Sequence, residues 1–319
     1  MQMLNSTDGE SKVAILGAGA IGQLLFHQLA KASKAPYLIG RSAHAATAIN
    51  LSNMTPLHFT DVLGEQVERQ ARLISPESQQ LIEIDLLIVC VKAYQVLDAL
   101  KPLIPKLKPH CHLLLLHNGM GPHLEIAKLL NGRGLSLGTT SQGALRPKQW
   151  HIIQTGTGLT QLGHYCGPMM SVQLKQQLLN SIPNSQWCEP ILPMLWQKLA
   201  INIAINPLTA IYNCRNGELA KPQYHNEICA LLNEVFTVAD AEGLTLDRAA
   251  LTQRVFDVIH LTANNHSSMH QDIYHQRKTE IDAINGYLIT RAQHHHIATP
   301  CNTKVYQQII TLQNHGQSA

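Results

Sequence analysis

A chain of 319 residues, 45% of them hydrophobic, can bury more than one ordinary core, so two domains are expected. With 14% charged residues, a formal charge of +3 and no block of consecutive lysines or arginines, it lacks the basic footprint that nucleic acid requires. No apolar run approaches the roughly 18 residues that cross a bilayer, and no membrane role is expected. Residues 1–12 are polar, carry Asp8 and Glu10, and lack the signal-peptide pattern. They read as a short disordered leader on a soluble, cytoplasmic protein.

From Ser11 to about Pro147, short β-rich apolar runs alternate with amphipathic stretches, the grammar of βαβ units feeding a parallel sheet. Residues 13–16, 37–39, 86–91 and 113–116 are the predicted central strands. Residues 152–162, which alternate and contain Gly156 and Gly158, read as a further strand or hairpin near the sheet edge. After Ile182 the chain is punctuated by Pro183, Pro190 and Pro193, and from there on it shows helical periodicity with no convincing strand. Ile281, Ile284, Leu288 and Ala292, for example, recur at three- and four-residue steps. The expected architecture is an α/β domain over 1–187 and an all-α domain over 188–319.

The first predicted strand runs into Gly17-Ala18-Gly19-Ala20-Ile21-Gly22 and then a helical pattern, the order that a Rossmann-type dinucleotide-binding fold needs. Gly17 allows the tight turn, Gly19 lets backbone approach a pyrophosphate, and Gly22 lets helix and strand pack closely. The helix start supplies unpaired N–H groups for phosphates. After the second strand, where an NAD site would carry an acid, stands Gly40-Arg41-Ser42. A guanidinium there suits a ribose 2′-phosphate, so NADPH is the predicted cofactor, a solvated surface arginine being the alternative. At the ends of two further strands, Lys92 and Gln95 are candidates for the adenosine phosphate end. Asn118 is a candidate for the nicotinamide side or the substrate, a turn residue stabilising its own loop being the alternative.

In the helical half, Lys198, Asn202 and Asn206 stand four residues apart on one helical face, while Leu199, Ile201, Ile203 and Ile205 make the rest of that helix apolar. Buried polar groups cost stability unless satisfied, and a ligand cleft between the two halves would satisfy them. A lysine withdrawn from water releases its proton more readily to a developing alkoxide, which suits carbonyl reduction. The alternative is a lysine reaching solvent beside two amides that bond backbone. Residues 213–218 read as a turn, Ser267-Ser268 as a helix start, and Glu280 as the opening of the Ile281 helix. Glu280 is open to two readings, a favourable charge at a helix N-terminus or a catalytic group. Seven cysteines without any C-x-x-C pair read as reduced structural thiols. The His294-His295-His296 run reads as a polar helix end rather than a metal site.

The glycine turn, Val91-Lys92-Ala93-Tyr94-Gln95, His117-Asn118-Gly119-Met120-Gly121, the helix from Trp196 through Asn206 with Asn216-Gly217-Glu218, and Ser267 to Asp272 leading to Thr279-Glu280 together resemble the ketopantoate reductases (2-dehydropantoate 2-reductases) of pantothenate and coenzyme A synthesis. The resemblance runs through nearly the whole chain. It implies NADPH-dependent reduction of ketopantoate to pantoate. It also implies that Lys198 is the general acid, that Glu280 orients substrate and lysine, that Asn202, Asn206, Asn216 and Ser268 bind substrate, and that Asn118 lies between substrate and cofactor. Domain closure over the ligands is a further expectation of the resemblance. Two alternatives stay open, a reductase of another short 2-keto acid and a non-catalytic NADPH-binding redox sensor, with a homodimer among the open assemblies.

Overall fold

The structure is a computed structural model that describes residues 11–32, 34–40 and 54–317. Arg41 and residues 1–10 of the expected leader lie outside the described residues. The chain divides into two compact units. The first comprises Met1–Val91, Gln95–His117 and Leu124–Ile191, the second Lys92–Tyr94, Asn118–His123 and Leu192–Ala319. The division at Ile191 falls close to residue 188, and the two short segments 92–94 and 118–123 group with the helices rather than with the sheet.

Among the described residues, the first unit is built on an 11-stranded sheet. Its parallel centre is β7 (Leu135–Thr140), β6 (His112–Leu115), β5 (Leu86–Val89), β1 (Val13–Leu16), β2 (Tyr37–Ile39) and β4 (Gln66–Ile74), in that spatial order. Every residue of β1, β5 and β6 is buried, as expected for parallel strands covered on both faces. On one side β10 (Thr160–Cys166) pairs antiparallel with β7 and is followed by β11 (Ser185–Trp187). On the other side stand β3 (Met54–Thr60), β9 (His151–Gly156) and β8 (Gly143–Lys148). The helices α1 (Ala20–Ala32), α2 (Val96–Leu100), α3 (Pro122–Leu129) and α4 (Val172–Ser181) interleave with these strands in sequence.

Two expectations need correction. The leader does not extend to residue 12, because the Lys12 backbone N–H donates to Asp85 at 2.7 Å as it enters β1. The region after Ile182 is not free of strand, because β11 pairs with β10 in parallel over three residues. The predicted strands do not include β3 and β4, half of whose residues are exposed. Their strand character comes from pairing with each other over seven residues, a long-range property that composition does not carry.

The second unit is helical: α5 (Leu192–Ile211), α6 (Pro222–Ala241), α7 (Arg248–Leu261), α8 (Ser268–Tyr274), α9 (Asn285–His294) and α10 (Pro300–Gln317). Helix α5 packs against α6, α7, α8 and α10, in keeping with a helix that is apolar around most of its circumference. Ile281, Ile284, Leu288 and Ala292 are all buried, as their spacing predicts. Glu280, however, does not open one continuous α-helix: residues 281–283 form a 3-10 turn and α9 starts only at Asn285. Among the described residues, no helix is long and apolar enough to cross a membrane.

The glycines of the first turn meet different surroundings. A Cβ on Gly22 would lie 1.9 Å from the Gly17 carbonyl oxygen, whereas one on Gly19 would meet none of the described residues within 4 Å. Gly22→Ala should therefore destabilise the chain by about 3 kcal/mol through backbone overpacking. Gly19→Ala should stay within roughly 0.5 kcal/mol of the parent. Thermal denaturation of the two variants side by side checks this, and equal melting temperatures would remove the assigned packing role of Gly22.

Candidate active site

The glycine turn sits between the buried strand β1 and the start of α1. Gly17 has φ +106°, a backbone conformation that glycine adopts without strain, and its missing Cβ leaves room for Val91. The Ala18 carbonyl accepts from Gln23 Nε2 at 2.9 Å and from Arg146 Nη1 at 3.2 Å. The open flank of Gly19 and the first N–H groups of α1 form a cradle that a side chain at position 19 would fill. These residues fit the pyrophosphate of a dinucleotide. Ala20 and Ile21 are the first two residues of α1, and Gln95 lies in the same unit just ahead of α2. Arg41 lies outside the described residues.

In the second unit, Lys198, Asn202 and Asn206 all belong to α5, one helical turn apart along one face. Asn202 is buried and Lys198 and Asn206 are half-buried. Burial pushes the Lys198 ammonium below its ordinary 10.5, and the Arg254 guanidinium adds repulsion in the same direction. The Asn202 amide nitrogen is buried with no hydrogen-bond partner among the described residues, and the same holds for the amide oxygen of Asn216. Asn216 Nδ2 does have one, donating to Thr262 Oγ1 at 2.9 Å. A buried donor and a buried acceptor without partners are costly unless a ligand completes them.

The strongest geometry centres on Glu280. Its Oε1 accepts the Ala93 backbone N–H at 2.9 Å, and its Oε2 lies 3.4 Å from both Lys92 Nζ and Asn118 Nδ2. Lys92 in turn donates to Asp272 Oδ2 at 2.8 Å, and Asp272 Oδ1 accepts from Arg277 Nε at 3.1 Å. Burial alone would lower the Lys92 pKa, but the facing charges of Glu280 and Asp272 outweigh it and raise the value. Gly119, at φ +75°, lets the 118–121 loop lie against the 281–283 turn, where the Met120 N–H donates to the Ala283 carbonyl at 2.7 Å. The Glu280 carboxylate makes no capping bond to its own turn, so the helix-terminus reading gives way to an anchoring one.

The structure thus brings together Lys92, Asn118 and Glu280, three candidates far apart in sequence. Lys92, expected at the adenosine phosphate end, has its ammonium engaged by two carboxylates. Asp272 carried no assigned role in the sequence reading, and only its place in the Ser267 to Asp272 stretch could have pointed to it. The two serines of that stretch also exchange prominence. Ser268 is exposed at the first position of α8, whereas Ser267 is buried, caps the helix by accepting from the His270 N–H at 3.0 Å, and donates to the Asn206 carbonyl at 3.3 Å.

Removing one partner of a buried charge network leaves the others uncompensated. Lys92→Met should accordingly destabilise the chain by about 3 kcal/mol, since it leaves Glu280 and Asp272 facing each other with side chains 5% and 6% exposed. Adding Asp272→Asn should recover part of that loss. Urea unfolding of both single variants and the double variant measures the coupling, and simple additivity would contradict the network.

Two family models match the chain: Ketopantoate reductase PanE/ApbA over residues 13–167 and Ketopantoate reductase PanE/ApbA C terminal over residues 190–313. The 2-dehydropantoate 2-reductase of Vibrio cholerae is 38% identical over 308 residues, 96% of this chain and 99% of that protein. The enzyme of the same name from Yersinia pestis is 37% identical over 93% of this chain and 94% of its own. Among solved structures, D-mandelate dehydrogenase with NADH and anilino(oxo)acetate superposes with a TM-score of 0.86 at 24% identity, covering 96% of this chain and 99% of that one. A PanE/ApbA family ketopantoate reductase from Ralstonia eutropha gives 0.82 at 24%, with the same coverage. At that identity the structural likeness carries the fold alone, whereas the sequence matches extend over both units. From the glycine turn to the Lys198 helix and Glu280, this chain is a member of the ketopantoate reductase family.

Proposed function

We propose that the protein reduces 2-dehydropantoate to pantoate with NADPH. The observation that carries this reading is the Lys198 ammonium, lowered in pKa by burial, on the same helical face as the unpartnered Asn202 amide. Family membership supplies the reaction type. When bound, the nicotinamide supplies a hydride for the ketone carbon. Gly17, Gly19 and Gly22, with Gln95, hold the dinucleotide, and Arg41 selects the ribose 2′-phosphate over a bare hydroxyl. Lys198 Nζ gives a proton to the ketone oxygen as negative charge develops there, becoming a neutral amine that regains its proton from water. Asn202 and Asn206 orient the substrate carboxylate, the buried Asn216 oxygen accepts from the substrate hydroxyl, and Ser268 adds a surface hydroxyl. Glu280 fixes Asn118 and, through Lys92, the local charge balance. In this assignment the first unit is the NADP-binding domain and the second the substrate and catalytic domain.

Removing a general acid costs about 10²- to 10⁴-fold in rate. Absorbance at the nicotinamide band, with NADPH and ketopantoate, should show a loss of that order in kcat for Lys198→Ala. Because the lysine works only while protonated, the rate should fall as pH rises, and the lowered pKa places that fall below 10.5. A mutant as fast as the parent would remove Lys198 from the mechanism. Substrate choice gives a separate check. 2-Ketoisovalerate lacks the hydroxyl that would satisfy the Asn216 oxygen, and an unpaired buried group costs about 1–3 kcal/mol. Its kcat/KM should be lower than that of ketopantoate by on the order of 10- to 100-fold, and equal values would reject the substrate assignment.

Arg41→Ala tests the cofactor half of the proposal. KM for NADPH should rise well above its parent value while KM for NADH changes little, since only the former carries the 2′-phosphate. Equal effects on both cofactors would remove Arg41 from cofactor selection.

A further inference from the structure

Strand β8 approaches the glycine turn and contributes a cation to it. Arg146 donates from Nη1 to the Ala18 carbonyl at 3.2 Å, the same carbonyl that accepts from Gln23. Beside it opens a pocket of about 240 Å³ lined by Ala18, Arg146, Gln149 and Trp150. Trp150 stands at the tight turn between β8 and β9 with φ +60° and is half-buried, packing against the core of the first unit. Its indole is therefore a fixed wall of the pocket rather than a loose surface ring. Among the described residues, Arg146 is the charged residue of that lining and no carboxylate shares it.

A guanidinium carries five N–H donors, of which the Ala18 carbonyl takes one. The pocket adjoins Ala18 of the glycine turn, where Gly19 leaves open space and α1 begins. An anion bound at that helix start meets the positive end of the helix, and a neighbouring guanidinium strengthens the same site with charge-assisted hydrogen bonds. The position is remote in sequence from both the glycine turn and Gly40-Arg41-Ser42, which is why no local pattern announces it.

We infer that Arg146 is an additional dinucleotide-binding residue, contacting the pyrophosphate of the nicotinamide cofactor from β8, with Trp150 and Gln149 forming the wall beside it. The inference rests on the proposed dinucleotide dependence. Arg146 acts on cofactor affinity and takes no part in proton transfer. A residue that merely pinned the Ala18 carbonyl would be replaceable by a neutral donor, whereas a phosphate contact requires charge.

The test compares Arg146→Gln, which keeps a donor for the Ala18 carbonyl but no charge, with Arg146→Lys, which keeps the charge. NADPH binding is followed by isothermal titration at low and at physiological ionic strength, with thermal melting and steady-state rates alongside. Arg146→Gln should bind NADPH about 10-fold more weakly, the equivalent of about 1.4 kcal/mol. It should also lose part of the salt dependence of binding and raise the KM for NADPH, with the melting temperature unchanged. Arg146→Lys should recover most of the affinity. NADPH binding by Arg146→Gln equal to that of the parent, or Arg146→Lys as weak as Arg146→Gln, would overturn the phosphate contact while leaving the dinucleotide reading intact. Failure of the parent protein to bind NADPH or NADH would overturn the dinucleotide reading, and the Arg146 assignment with it.

Discussion

The carboxylate of Glu280 is the interaction on which the helical unit's polar centre depends. One oxygen is committed to the Ala93 backbone, the other is shared by Lys92 and Asn118. Through these bonds, two short segments that follow β5 and β6 in the chain become part of the helical unit. Burying a carboxylate costs several kcal/mol unless its lone pairs are met, and a single missing partner would leave that cost standing. Here the charges alternate: Arg277, Asp272, Lys92 and Glu280 form a chain in which each ion has a neighbour of opposite sign. Such an arrangement holds side chains in one geometry more than it adds stability.

The polar face of α5 works in the opposite sense. Leu195, Trp196, Leu199, Ile203 and Leu208 on the same helix are buried, each contributing about 1.5–3 kcal/mol. That sum comfortably exceeds the cost of Asn202 and Lys198, so the helix can carry groups that folding alone would not select. A lysine kept partly dry has its proton held less tightly, which weakens folding while the ammonium persists but suits proton donation. Among the described residues, the Asn202 amide nitrogen and the Asn216 amide oxygen are likewise buried without partners, at a cost that packing elsewhere must offset.

In the sheet unit the demands are steric. Gly17 relieves a positive φ, Gly22 makes room for the Gly17 carbonyl, and a Cβ on Gly19 would meet no described residue within 4 Å. Only the third is a glycine that the packing of the described residues does not require. The neighbouring Arg146 and Trp150 come from the β8–β9 hairpin, whose strands pair antiparallel with each other.

The glycine turn, the strands at its core and the Lys198, Asn202, Asn206 stripe were legible in the sequence because each is a local pattern. A strand-turn-helix passage or a four-residue period is written in adjacent residues, and burial of the intervening apolar positions follows from it. What could not be read there was set by contacts between residues that lie far apart along the chain. The Glu280 side chain bonds residues 162 to 188 positions away. β3 and β4 are strands because they meet, and of the two serines at the start of α8 it is Ser267 that caps the helix, its hydroxyl turned inward while Ser268 stays exposed. Composition and spacing determine which segments can form, while partner choice for charges and polar groups is decided only when the folded chain sets the distances, since a hydrogen bond needs donor and acceptor about 3 Å apart and charge–charge energies fall with separation.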